Sequence, residues 1–185
     1  MPLVIEHFVL PPTAHVPNNK HPVIVYRDAL PKPHEEDSTT AFLEANQWEK
    51  KGFWPGTWVH HFHPNTHECY GVVTGTTTML VGRGQLDGNT GGQLVYLQPG
   101  DVIVIPAGTS HMNVTMTDDY RFVGVYPNGS PQWTSQTCDK PEIMAELRDE
   151  ISRVPLPAAD PVEGESGTLI RLWMDLPGKR TGETQ

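Results

Sequence analysis

His61-Phe62-His63, Glu68 after four intervening residues, and His111 at the end of a later block offer three imidazoles and one carboxylate. Neutral imidazole nitrogens and a carboxylate oxygen are donors that a divalent transition ion accepts. Alternate side chains of a strand share a face, so His61 and His63 point the same way, roughly 7 Å apart, and His60 and Phe62 point the other way. Glu68 has the wrong parity to continue that face on one unbroken strand. Pro64-Asn65 supplies the break, because proline removes a ladder donor and asparagine favours a turn. Beyond the turn either His67 or Glu68 faces inward, not both. Glu68 shares its face with Tyr70 and Val72, a better interior set than the Cys69 and Gly71 that accompany His67. The later block, Gly100-Asp101-Val102-Ile103-Val104-Ile105-Pro106-Ala107-Gly108-Thr109-Ser110-His111, reads as a buried strand and a sharp turn, with a histidine just past it able to reach back as a further ligand.

These donors need a frame. The chain has 185 residues, a length that fits one domain, with 18 prolines and 17 glycines spread along it. Segments 57–62, 70–73, 76–81, 93–97, 102–105 and 122–126 read as strands, with Gly or Pro at nearly every junction, as in a sandwich or barrel of short strands. Before them, 5–10 and 23–26 read as extended, and Ser38 is placed to cap a short helix through Asn46. After them, Asp139 as N-cap, Pro141 and Glu142 predict a helix whose Ile143, Leu147 and Ile151 share a face. Segment 168–173 reads as a last strand or extended arm, and 177–185 as a polar, frayed tail. The expected organisation is one domain over 1–185: an N-terminal arm 1–51, a barrel core of about 52–127, and a C-terminal helix and tail over 128–185.

Composition excludes several classes. A formal charge of −9 and the absence of a basic run argue against nucleic acid and membrane surfaces as partners. No stretch approaches the roughly 20 apolar residues of a membrane span, and the N-terminus lacks the basic region of a signal peptide. Cys69 and Cys138 make no disulfide framework, so a cytoplasmic location is expected.

His61-x-His63-x4-Glu68-x6-Gly75 resembles the first cupin motif, and Gly100-x5-Pro106-x-Gly108-x2-His111 resembles the second. Two positions depart from the pattern: Gly56 stands one residue closer to His61 than usual, and Thr115 occupies the place of the late asparagine, with Asn113 nearest. Phe42 to Trp48, Val125-Tyr126-Pro127 and Asp160-Pro161-Val162-Glu163-Gly164 extend the likeness to single-domain YjlB-like cupins. The resemblance implies an all-β double-stranded β-helix, the RmlC-like jelly-roll barrel, with one or two short flanking helices. It implies a metal held by His61, His63, Glu68 and His111, with Glu68 also able to take a proton as the catalytic base. Trp58, Tyr70, Met79, Asn113 and Tyr126 are candidate pocket-lining residues.

The implied cofactor is one divalent transition ion, with Fe, Mn or Ni favoured and Zn, Cu or Co compatible. Such an ion polarises an oxygen-bearing substrate and stabilises developing negative charge. The expected function is a metal-dependent cupin enzyme, an oxygenase of the dioxygenase type acting on a small enediol, phenolic or carboxylate molecule. The alternatives are an isomerase, epimerase or cyclase using the ion as Lewis acid, or a non-catalytic small-molecule-binding barrel. A homodimer is expected from the size of the resembled proteins.

Overall fold

The computed structural model describes residues 2–174. In chain order the elements are β1 (Val4–Phe8), β2 (Val23–Arg27), α1 (Glu36–Glu44), β3 (Trp48–Trp54), β4 (His61–Phe62), β5 (Glu68–Thr74), β6 (Thr77–Val81), β7 (Gln93–Leu97), β8 (Val102–Ile105), β9 (His111–Met116), β10 (Arg121–Pro127), β11 (Gln136–Thr137), a 3-10 turn (Pro141–Ile143), α2 (Met144–Ser152) and α3 (Thr168–Met174). One sheet runs β1-β2-β8-β5-β10-β3 and the other β11-β4-β9-β6-β7. The strand pairs within them are antiparallel. Two such sheets face to face make a jelly-roll sandwich.

Strand alternation distributes the side chains. Along β5, Tyr70 and Val72 join Met79, Val81, Val95 and Ile103 in the core between the sheets. Cys69 and Val73 point to the opposite face, where Leu43 of α1 and Leu169 and Trp173 of α3 cover the six-stranded sheet. The inner strands of that sheet are buried on both sides, which explains why β2 and β8 are continuous apolar runs rather than alternating ones. A third cluster joins Leu147 and Ile151 of α2 to Phe62, Ala107 and Cys138. The turn after β8 needs Gly108, which has φ +81° and on which a Cβ would lie 2.4 Å from Ile151 Cδ1. Its N–H donates to the His63 carbonyl at 2.8 Å, tying this turn to the first histidine pair.

Several expectations change. Segment 168–173 is helix, not strand: Asp160 accepts the Leu169 N–H and Glu163 the Thr168 N–H, so two of the open amides of the first turn are satisfied. Leu169 and Trp173, four apart, are then both buried. The 57–62 strand shrinks to β4, while 48–54 and 111–116 form strands that alternation did not predict. Segment 1–51 is not an appended arm, since β1, β2 and β3 lie within the six-stranded sheet. Ser38 stands at the third helical position of α1 in a capping box with Glu35. Asp139 caps no helix and instead accepts a hydrogen bond from Thr137. Residues 177–185, read as a frayed tail, fall outside the described residues. Among the described residues no helix is long and apolar enough to cross a membrane, and both cysteines are free and buried.

Candidate metal centre

His61 on β4 lies directly opposite His111 on β9 in the ladder, and His63 follows two residues after His61. The ring centroids are 4.4 Å apart for His61 and His111, 5.1 Å for His61 and His63, and 5.7 Å for His63 and His111. One nitrogen from each ring lies within 4.8 Å of the others. That is close enough for small side-chain rotations to bring all three onto one ion with bonds of about 2.1 Å.

Backbone carbonyls set the direction of each ring. His61 Nδ1 is 2.9 Å from the Val59 carbonyl, His63 Nδ1 2.7 Å from that of Thr134, and His111 Nδ1 3.2 Å from that of Thr109. A carbonyl only accepts, so each Nδ1 carries the proton and each Nε2 is left with a free lone pair. Glu68 begins β5, and its Oε2 sits 3.2 Å from His111 Nε2 and 3.4 Å from His63 Nε2. Three lone pairs and a carboxylate turned on one another repel unless a positive charge lies among them. The donors therefore fit a divalent cation, and their outward hydrogen bonds have the form that orients metal-binding histidines.

Two phenols hold Glu68. Tyr126 Oη donates to Oε1, and Tyr70 Oη lies 2.9 Å from Oε2 and 3.0 Å from His111 Nε2. Without an ion among them, burial would raise the Glu68 carboxyl, but the facing His63 and His111 rings, carrying a proton on Nε2 in place of the ion, outweigh it and hold it well below the usual carboxylate range. Burial would depress His63, and the Glu68 carboxylate reverses this and raises it. His61, further from that carboxylate, is pushed down to about 3 by burial and then by the charge of His111. Burial, then Glu68, pushes both tyrosines up, so they remain hydroxyl donors.

The centre opens into a cleft of about 210 Å³. Glu68, Tyr70, His63 and Tyr126 are buried and form its floor; half-buried Trp54 and Trp133 stand at its rim. Tyr70, Asn113 and Tyr126 line it. Trp58 does not: it is 57% exposed, in the irregular 55–60 segment where strand alternation has no meaning. Nor does Met79, which is 1% exposed and fills the core beside Val81 and Val95. His60 turns away from the centre and pairs with the Arg83 carbonyl at 2.9 Å. His67 accepts the Ala107 N–H and packs on Trp173, on the helix-covered face. The two departures from the cupin pattern meet in space. Asn113 Oδ1 accepts the Thr57 N–H, and a Cβ on Gly56 would lie 2.4 Å from that oxygen.

Residues 128–137 escaped the sequence reading. This strap crosses the cleft, where Trp133 stacks on Tyr126 and the Thr134 carbonyl orients His63, and it ends in β11 beside β4. Asn65 pins it at both Gln132 and Thr134. The available signal was Trp133 directly after Asn128-Gly129-Ser130-Pro131-Gln132, a polar turn-rich run that has no other use for a large ring. A larger hollow of about 410 Å³ lies elsewhere, around residues 11–15 and 86–91, where His15 and Thr13 clasp Asp87. Among the described residues it holds no convergent set of three or more metal donors.

An antiparallel two-sheet barrel with histidines from β4 and β9 converging inside one end defines a jelly roll with a three-histidine cluster that could hold a metal ion. Residues 55–142 match the model of the cupin family. The chain is 30% identical over 171 residues to the uncharacterized protein YjlB of Bacillus subtilis, covering 91% of this chain and 96% of that one. The chain belongs to the cupin family. Among solved structures it is similar to oxalate decarboxylase of Lactobacillus farciminis in a formate complex, with 17% identity over 73% of this chain and a TM-score of 0.34. It is likewise similar to acireductone dioxygenase of Bacillus anthracis with cadmium in its active centre, with 20% identity over 62% of this chain and a TM-score of 0.30. The chain spans 34% of the first of these and 53% of the second.

Proposed function

We propose that this protein is a metal-dependent enzyme, an oxygenase acting on a small enediol, phenolic or carboxylate molecule. One observation carries the reading: three Nε2 lone pairs and a Glu68 oxygen are turned on one another at the floor of a cleft open to small molecules. His61, His63 and His111 would hold the ion with Glu68 as fourth donor, and iron, manganese or nickel suits these nitrogens and oxygen. The ion, when bound, supplies Lewis acidity toward an oxygen-bearing substrate. The chain's own part is acid–base and steric. Glu68 is kept ionised by hydrogen bonds from two phenols and is placed to take a proton from the substrate. Trp54 and Trp133 narrow the mouth and limit water. The phenol-clamped carboxylate also favours a second reading, isomerisation, in which Glu68 moves a proton between substrate atoms and no oxygen is consumed.

Elemental analysis of protein purified without added metal tests the centre. About one equivalent is expected in the wild type and in His60→Ala, and a loss of most of it in His61→Ala and His111→Ala. Metal retained in both of the latter variants would overturn the assignment. Oxygen uptake with enediols and polyphenols separates the two reactions, because the isomerase consumes none.

A further inference from the structure

We infer that the cleft selects a small, uncharged, planar molecule of about one ring, a phenol or an enol, against carboxylate dianions, polyols and polycyclic bodies. This rests on the metal-centre reading above and narrows its substrate class.

The walls come first. Trp133 and Tyr126 stack at 5.1 Å with only 9° between their planes, and Trp54 sets its ring edge-on to Trp133 at 5.7 Å and to Phe122 at 6.0 Å. Such faces and edges attract a flat, polarisable ring. Charge is the second filter. Among the described residues, neither lysine nor arginine lines the cleft, and Glu68 is the one acidic side chain there. Aromatic faces are negative, so an anion between them loses water without gaining a partner. A bound ion would supply positive charge at the floor alone, and Glu68 offsets part of it. The ligand that fits turns one oxygen to the floor and carries no further charge into the aromatic part.

Hydrogen bonding is the third filter. Asn113 already accepts from the Thr57 N–H and donates to Thr77, Thr57 Oγ1 accepts from the Val59 N–H, and Ser135 Oγ lies 3.3 Å from His63 Nδ1. Few free partners remain for a sugar-like chain of hydroxyls. Size is the last. At about 210 Å³ the cleft is smaller than the roughly 300–1,000 Å³ that encloses drug-sized molecules.

Calorimetric titration of metal-loaded and chelator-treated protein with catechol, oxalate and quercetin tests the inference. Catechol is expected to bind at least about tenfold more tightly than either of the others. Trp133→Ala and Trp54→Ala should each weaken catechol about three- to tenfold and leave oxalate unchanged. Trp133→Phe should restore most of the loss, and Trp58→Ala, outside the cleft, should change nothing. Oxalate or quercetin binding as tightly as catechol would overturn the inference, as would catechol binding indifferent to both rim tryptophans. Metal content measured on the same samples separates the two readings. Protein that holds no metal yet binds catechol through Trp133 refutes the metal reading alone, whereas protein that holds metal and ignores catechol refutes this one.

Discussion

Gly56 and Asn113 show how a residue pair can look like two unrelated irregularities in a sequence and act as one device in the fold. Asn113 is 3% exposed, and both ends of its amide are used, on the Thr57 N–H and the Thr77 hydroxyl. That clip holds the 55–60 segment against β9 and sets the approach to His61. A methyl group on residue 56 would collide with the Asn113 amide. Gly56→Ala is therefore expected to cost about 1–3 kcal/mol in urea unfolding. The same change in an Asn113→Ala background should cost distinctly less, and equal costs in both backgrounds would refute the coupling. At this scale the donors were legible because each motif fixes residue type and spacing together. Trp58 and Met79 misled because alternation says which way a side chain points only where a strand exists, and not how far along the barrel it sits. Trp133 was legible only as a large ring beside a polar run, because its role comes from a loop that meets β4 only after folding.

At the scale of elements, α3 depends on one buried carboxylate. Asp160 is fully buried and accepts from the Tyr26 hydroxyl and from the N–H groups of Val162, Glu163 and Leu169. These bonds close the turn before the helix and hold its first turn against β2. Asp160→Ala removes them and leaves buried donors without acceptors, so a loss of about 3 kcal/mol or more is expected. Trp173 should report it, through an emission shift to longer wavelength as its ring leaves the sheet at lower denaturant than the barrel unfolds. Coincident transitions of Trp173 and the barrel, at the wild-type midpoint, would refute the local role. The sequence of 168–173, rich in apolar and β-branched residues, matches a strand as well as a helix. The capping carboxylate that decides between them lies outside the segment, so no local window contained the answer. By contrast 93–97 and 102–105 were read at their observed bounds, being flanked by turn residues at both ends.

For the whole molecule, the antiparallel barrel was legible from evenly punctuated short strands, while the membership of β1 and β2 was not. β2 pairs with β8, about eighty residues later, and no local pattern encodes that partner. The helix-covered side of the resulting sheet buries histidines, which makes stability depend on pH. His67 is pushed down to about 3, first by burial and then by His21, and His21 to about 4, first by burial and then by Lys20. Both are neutral in the fold and take a proton near pH 6.5 once unfolded, so acid favours the unfolded chain. Stability should fall as pH drops below about 6.5 and go on falling to about 3, where His67 itself takes a proton in the fold, with His67 alone accounting for about 2 kcal/mol at pH 5. Melting temperatures of chelator-treated protein at pH 7.5 and 5.0 measure this, and His67→Gln should narrow the gap between them. An unchanged gap would mean that His67 takes its proton without unfolding.

The strap that crosses the cleft gives the centre a history as well as a shape. On the ribosome, His61, His63, Glu68 and His111 all emerge before Thr134, whose carbonyl fixes the tautomer of His63. A nascent chain thus displays every donor while one of them is still free to turn either nitrogen outward. Any preference of the centre among ions would then belong to the finished chain, set late in synthesis when β11 closes beside β4.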